Sequence, residues 1–346
     1  MRRQFGIIIF AAAAVFTLIL TLSCSKQKAD IYIAGYEELE DGSRIAVYWK
    51  NGEKSVLSGS AGSAWAVSIA VSGSDVYVAG LEIPEHGRFN ALYWKNEEKH
   101  IVSEGPNTAW AQSIAVAGDD VYLVGREMND QGRFSAICWK NDVKAILSDS
   151  PLSSMAYAVA VDGHDVYVAG NDANGQPPGV KAVYWKNGSR EVLSDRSGNA
   201  GVSAMTISGH DVYIAGKEDT QAVYWKNGEK VALTDDNVIS TVSSIAVSGS
   251  DVYVAGNEII NGKTVAVYWK NGEKTILTEN PFSGMNSGMA NAVAAEGTNL
   301  YIAGRDTDQG NIHSAVYWEN GKKIPLSRGA NVISAEANGI AIVVKN

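Results

Sequence analysis

The chain has 346 residues, 45% of them apolar and 19% charged, a composition that folds and that excludes disorder over most of its length. A formal net charge of −9 argues against nucleic acid as a partner. With only two cysteines, no disulfide framework holds the fold.

In chain order, the first element reads as a leader. Arg2 and Arg3 precede an apolar run from Ile7 to Leu22, shorter than the ~20 residues a spanning helix needs. It ends in Thr21-Leu22-Ser23-Cys24, which resembles the lipobox of bacterial lipoproteins, with Thr21 at a place where that pattern prefers leucine. The resemblance implies a signal peptide over residues 1–23, a lipidated Cys24, a tether over 24–29 and a place in a bacterial cell envelope. An uncleaved anchor is the alternative, and both readings hold the protein to a membrane.

From residue 30 onward the chain repeats. The ninemer AVYWKNGEK at Ala46 recurs in seven forms, starting also at Ala91, Ala136, Ala182, Ala222, Ala266 and Ala315. In the third form Cys138 replaces tyrosine, which suits a small buried residue better than a nucleophile. Before six of the seven stands a second phrase of the type SIAVSGSDVYVAG, beginning at Ser68 in its first full copy. The first unit keeps only DIYIAG from Asp30, and the missing half appears at the far end as GIAIVV from Gly339.

Each unit of 40 to 49 residues thus carries four β-rich runs: a (SIAV), b (DVYVAG), c (AVYWK) and d, the short run ending in leucine after the lysine. Asn-Gly between c and d in five copies predicts a type I′ hairpin turn, since both positions favour positive φ. Run d is the outer edge, where Pro325 can leave its missing N–H toward solvent. Four-stranded units at this period predict an all-β, seven-bladed β-propeller over residues 30–346, with four antiparallel strands per blade. A ring exposes no long edge only if its ends join, so Gly339 to Val344 is expected to complete the blade begun at Asp30. The repeated phrase also resembles NHL-type and related bacterial propeller repeats, a likeness that bears on fold and little on function.

The seven ninemer tryptophans, from Trp49 to Trp318, fall on run c between blades. Burying about 200 Å² of indole at ~25 cal/mol per Å² gives roughly 5 kcal/mol gross for each. The ninemer is therefore frame, and recognition is expected where the units differ: in the d-to-a and b-to-c connections, which share one face, here called the top. The other face, with the uniform a-to-b and c-to-d turns, is the bottom. Trp65 and Trp110 fall outside the ninemer at equivalent places on adjacent blades, followed by Met155 and Tyr157 on the next. They form either a cap on the local core or an apolar platform for a sugar ring or a partner side chain.

The second residue after each VAG-type glycine is acidic: Glu37, Glu82, Glu127, Asp172, Glu218, Glu258 and Asp306. Such a ring either gathers a cation or accepts backbone N–H groups of neighbouring loops, the latter being the commoner role of a carboxylate at a strand end. Catalytic signatures are thin. The five histidines lack metal-ligand spacing, G-x-S-x-G and H-E-x-x-H do not occur, and no cofactor is called for. An enzyme would need carboxylates converging from different loops, such as Glu82 and Glu127. The expectation is a lipid-anchored, non-enzymatic propeller presenting its top loops to a protein partner in the envelope. A carbohydrate-binding propeller using Trp65 and Trp110 is the alternative, with a glycan-processing enzyme third.

Overall fold

The computed structural model describes residues 29–345 apart from positions 60, 61, 86, 104, 105, 149, 151, 174–178, 195–198, 280–286, 309 and 311. Cys24, the leader, and the loop prolines Pro151 and Pro281 lie outside the described residues. The strands, β1–β28 in chain order, form seven four-stranded sheets. Six of these are built from consecutive strands, as in β4 (Ser63–Ser72), β5 (Asp75–Ile83), β6 (Asn90–Lys95) and β7 (Glu98–Ile101). The seventh joins the chain's ends. Here β28 (Val332–Val344) lies antiparallel to β1 (Ala29–Leu39), with Ile33 opposite Ile340 and Ala34 opposite Gly339. β2 (Arg44–Lys50) and β3 (Glu53–Val56) complete that blade. The ring is therefore closed as the displaced half-phrase required, and β1 begins at Ala29, the last residue of the expected tether and one before the expected start of the propeller.

Between each pair of neighbouring blades lies one apolar cluster, seven in all. All seven ninemer tryptophans are no more than 1% exposed within them. Cys138 is buried in the cluster between blades 3 and 4, and burial pushes its thiol up to about 11, an environment that suits packing and disfavours the thiolate. Run d differs slightly from expectation. The outer strand stops at Val56, and the leucine after it leaves the ladder and turns inward, as buried Leu57, Leu277 and Leu326 do.

A feature absent from the sequence reading recurs in every blade. The inner strand carries a β-bulge beside the VAG-type glycine, for example between Ala66 and Ser68 opposite Gly80 and Ala79. A Cβ on Gly80 would fall 2.2 Å from the Trp65 carbonyl oxygen and 2.6 Å from Cζ3 of Trp94. The glycine thus makes room for both the bulge and the indole, which ties the two repeated phrases into one packing unit.

The remaining ninemer letters close a clasp on the bottom face. In blade 3, Asp120 Oδ1 accepts from Asn141 Nδ2 at 2.8 Å, while Asp120 Oδ2 meets Lys140 Nζ at 2.7 Å. Asn141 Oδ1 accepts the Val121 N–H at 2.8 Å, and the Lys140 ammonium lies 5.2 Å from the Tyr122 ring centroid. Bonds from lysine first, then asparagine, hold Asp120, Asp165, Asp211 and Asp251 below the usual carboxylate range; at Asp75 the asparagine bond is the larger. A lowered folded-state value contributes stability that is present above the unfolded value of ~3.9 and lost as pH falls through the folded one. The melting temperature is therefore expected to drop below about pH 4. Replacing these five aspartates by asparagine should flatten that acid limb, and an unchanged limb would exclude the clasps as its source.

The c-to-d turns take positive φ at both central positions in every blade, including Glu97 at 72° and Asp142 at 67°, where five siblings have glycine. A side chain there is strained. Glu97→Gly is expected to stabilise by ~0.5–1 kcal/mol, raising the melting temperature by roughly 1–2 °C. A fall would mean that the 3.3 Å bond from Tyr48 Oη to Glu97 outweighs the backbone term.

Candidate functional site

The ring of acidic residues is occupied from within each blade. Glu37 pairs with Lys54 at 2.6 Å, Glu82 with Lys99 at 3.0 Å, Glu127 with Lys144 at 2.9 Å and Asp172 with Arg190 at 2.8 Å. Glu258 pairs with Lys274 at 2.7 Å, Asp306 with Lys323 at 2.8 Å, and Glu218 with Lys230. The base is the last letter of the ninemer, on the outer strand, opposite the tryptophan across the c–d hairpin. The expected backbone acceptor role is met at Glu37, where the Gly329 N–H donates to Oε1 at 2.9 Å, while the recurring partner is the base. Glu82 and Glu127 are thus each committed to a lysine of their own blade. Among the described residues no three His, Cys, Asp or Glu side chains are grouped to hold a metal ion.

Trp65, Trp110, Met155 and Tyr157 fall on one arc over blades 2 to 4. Phe89 bridges the indoles, its ring 6.1 Å from Trp65 and 5.0 Å from Trp110, and Phe134 meets Trp110 edge-on at 5.2 Å. Two guanidiniums cover these rings. Arg44 lies 5.4 Å from the Trp65 centroid and 5.2 Å from that of Tyr36; Arg126 lies 4.6 Å from Trp110 and 5.1 Å from Phe134. Met155 Sδ accepts from Arg126 Nη1 at 3.2 Å and from Tyr157 Oη at 3.1 Å, which extends the arc into blade 4. All of these side chains are half-buried.

The sequence reading missed Phe89, Phe134, Arg44 and Arg126. A signal existed, because GRF precedes the ninemer as Gly87-Arg88-Phe89 and Gly132-Arg133-Phe134 in the two blades that carry the extra tryptophans. Arg126 sits directly opposite Trp110 in the a–b ladder, at the variable place just after the VAG-type glycine.

At the other end of the arc the ring closes on a polar knot. Glu336 accepts from Tyr36 Oη at 3.0 Å, from Asn291 Nδ2 at 2.9 Å and from Arg305 Nη1 at 3.1 Å. Burial, and then the Glu336 charge, push the Tyr36 phenol up to about 12. Inside the arc runs the central channel, a cavity of about 250 Å³ to which all seven inner strands contribute. Its wall includes the bulge residues, among them Asn338, Gln112, Tyr157, Ser243 and Asn291. The bulge thus turns one side chain per blade toward the axis, of five kinds over the seven blades and mostly polar.

No sequence-family model matches the chain, and no curated protein matches it. Solved structures match over most of its length at low identity. A puromycin-hydrolyzing peptidase of Mycobacterium tuberculosis is similar at 11% identity and a TM-score of 0.58, over 86% of this chain and 52% of its own. An acylaminoacyl peptidase of Pyrococcus horikoshii is similar at 15% identity and a TM-score of 0.54, over 88% of this chain and 51% of its own. A nidogen/laminin complex structure aligns at 13% identity and a TM-score of 0.46, over 91% of this chain and 98% of its own, too low to carry an argument. The chain spans about half the length of the two peptidases, and at such identities the likeness extends to the fold alone.

Proposed function

We propose that the protein is a non-enzymatic binding propeller, tethered to a bacterial membrane through Cys24, that engages a protein partner with its top face over blades 1 to 4. The observation that carries this reading is the continuous arc of half-buried aromatic and arginine side chains from Tyr36 to Tyr157, confined to one sector of a ring that is otherwise repetitive. Tryptophan, tyrosine and arginine are the residues that dominate protein interfaces. A sugar platform needs an uncommitted aromatic face, whereas Trp110 already carries a guanidinium at 4.6 Å and two phenyl rings within 5.2 Å. The pairing of Glu82 and Glu127 with lysines also argues against a hydrolytic carboxylate pair. Because β1 starts on the bottom face, a lipid at Cys24 would turn the top away from the bilayer.

Site-specific photocrosslinking in cells tests the reading. A photoreactive residue at Glu85, on the top of blade 2, is expected to give a protein adduct of one defined mass, and the same residue at Ser74, on the bottom of that blade, none. Equal adducts from both faces, or none from the top, would overturn it. Cys24→Ala should release the protein from the membrane fraction.

A further inference from the structure

The top face carries three arginines at the arc and its closing knot, and two have carboxylates. Arg44 Nη2 meets Glu38 at 2.9 Å, and Arg305 Nη1 meets Glu336 at 3.1 Å. Arg126 makes no ion pair among the described residues. Its guanidinium lies over Trp110, its Nη1 donates to the thioether of Met155, and its Nε is buried with no acceptor. A thioether is a weak acceptor, so a half-buried cation is held in an apolar cage with most of its hydrogen-bonding capacity unused. Withdrawing a charge from water without a counterion is costly. Stability alone does not explain a guanidinium at this place, since Leu81 fills the equivalent place beside Trp65 in the neighbouring blade.

We infer that Arg126 is the anchor for an acidic side chain of the partner, and that the segment recognised is a short acidic peptide whose carboxylate pairs with the guanidinium while an adjacent apolar residue packs on Trp110, Phe134 and Met155. The inference rests on the protein-binding reading and names the chemistry of its partner. Held over the indole with Nε buried and Nη1 on a weak thioether acceptor, the guanidinium has its Nη1/Nη2 end, and not its Nε edge, left to meet a carboxylate through parallel bonds. Trp110, Phe134 and Met155 supply the apolar contact around the ion pair that excludes water from it. The chain as a whole carries a net charge of −9, so an acidic partner is not steered in by the long-range field. Recognition has to be local, and removal of this one cation should act mainly on dissociation.

The test is selection of phage-displayed random dodecapeptides on the leaderless chain, residues 25–346, which contains the whole closed ring. The expected result is enrichment of peptides with Asp or Glu beside an aliphatic or aromatic residue. Their affinity should fall tenfold or more in Arg126→Met and less in Arg126→Lys, which keeps the charge and loses the fork. The melting temperature of Arg126→Met should stay level or rise, because an apolar side chain of similar length replaces an unpaired cation. Weakened binding together with a lowered melting temperature in Arg126→Met would make the arginine a structural strut and overturn the inference. Top-face peptides without acidic enrichment, or indifferent to Arg126→Met, would overturn it while leaving the protein-binding reading intact. Failure to enrich any top-face peptide would sink both. If an oligogalacturonate bound and lost affinity in Arg126→Met while no peptide was enriched, the site would belong to an acidic glycan and the peptide assignment would fall.

Discussion

Gly125→Ala is expected to be among the most destabilising single substitutions in the ring, by at least ~3 kcal/mol, or roughly 4 °C or more in melting temperature. The added Cβ would lie 1.9 Å from the carbonyl oxygen of Trp110 and 3.1 Å from the Cα of Ala111. Both are backbone atoms of the inner strand, so no rotamer change relieves the clash. The strand has to move, and with it the bulge that turns Gln112 into the channel and the seating of Trp110 under Arg126. Gly52→Ala is the control. That glycine has a φ of 86° and nothing within 4 Å of the added methyl, so only the positive-φ penalty of ~1 kcal/mol applies. Equal losses from the two substitutions in thermal denaturation would show that close approach at the bulge is not what the repeated glycine serves.

These two glycines also mark the limit of what the sequence discloses. Gly52 was legible because Asn-Gly between two alternating runs is a local signal with a known backbone meaning. So were the buried tryptophans and the closing strand, since each follows from a period or from a phrase split between the chain's ends. Gly125 was visible as a repeated letter without a reason, because a bulge exists only in the pairing of two strands and adds no letter of its own. The basic partners of the acidic ring were hidden similarly. Glu82 and Lys99 both recur in register, but the lysine reaches the carboxylate past the intervening strand, and only the sheet order β5-β6-β7 brings them together. Within the arc, Trp65 and Trp110 stood out as departures from the repeat, while Arg126 occupies a place that holds five different residue types over the seven blades and offered no contrast to read. The part of the site nearest to function was the least legible, for the same reason that it is a candidate at all.

The second large effect concerns closure. Deleting residues 332–346 is expected to leave no folded population, and moving the same strand to the front of the chain is expected to cost almost nothing. β28 pairs along the whole of β1, from Ala29 opposite Val344 to Leu39 opposite Val332. It also feeds two cores: Val332, Ala335 and Ala337 pack between blades 7 and 1, while Ala341 and Val343 pack between blades 1 and 2. Five apolar side chains at roughly 1–2 kcal/mol each, together with the lost ladder, approach ~10 kcal/mol, the scale of a whole domain's stability. The truncated ring would also present β1 as a long unpaired edge, so aggregation should accompany unfolding. In the permuted chain Val332–Val344 comes first, an Asn-Gly pair follows, and Ala29 continues to residue 331. Val344 and Ala29 are already opposite each other, so a two-residue type I′ turn joins them without moving either strand. The cut falls in the loop after Leu326, outside the ladder, where a break in the chain is tolerated. The permutant should melt within a few degrees of the natural order while the truncation yields only insoluble protein. A soluble, cooperatively melting truncation would mean that six blades and a three-stranded seventh suffice, and the inter-blade cores would then have to be worth far more than the strand that seals them.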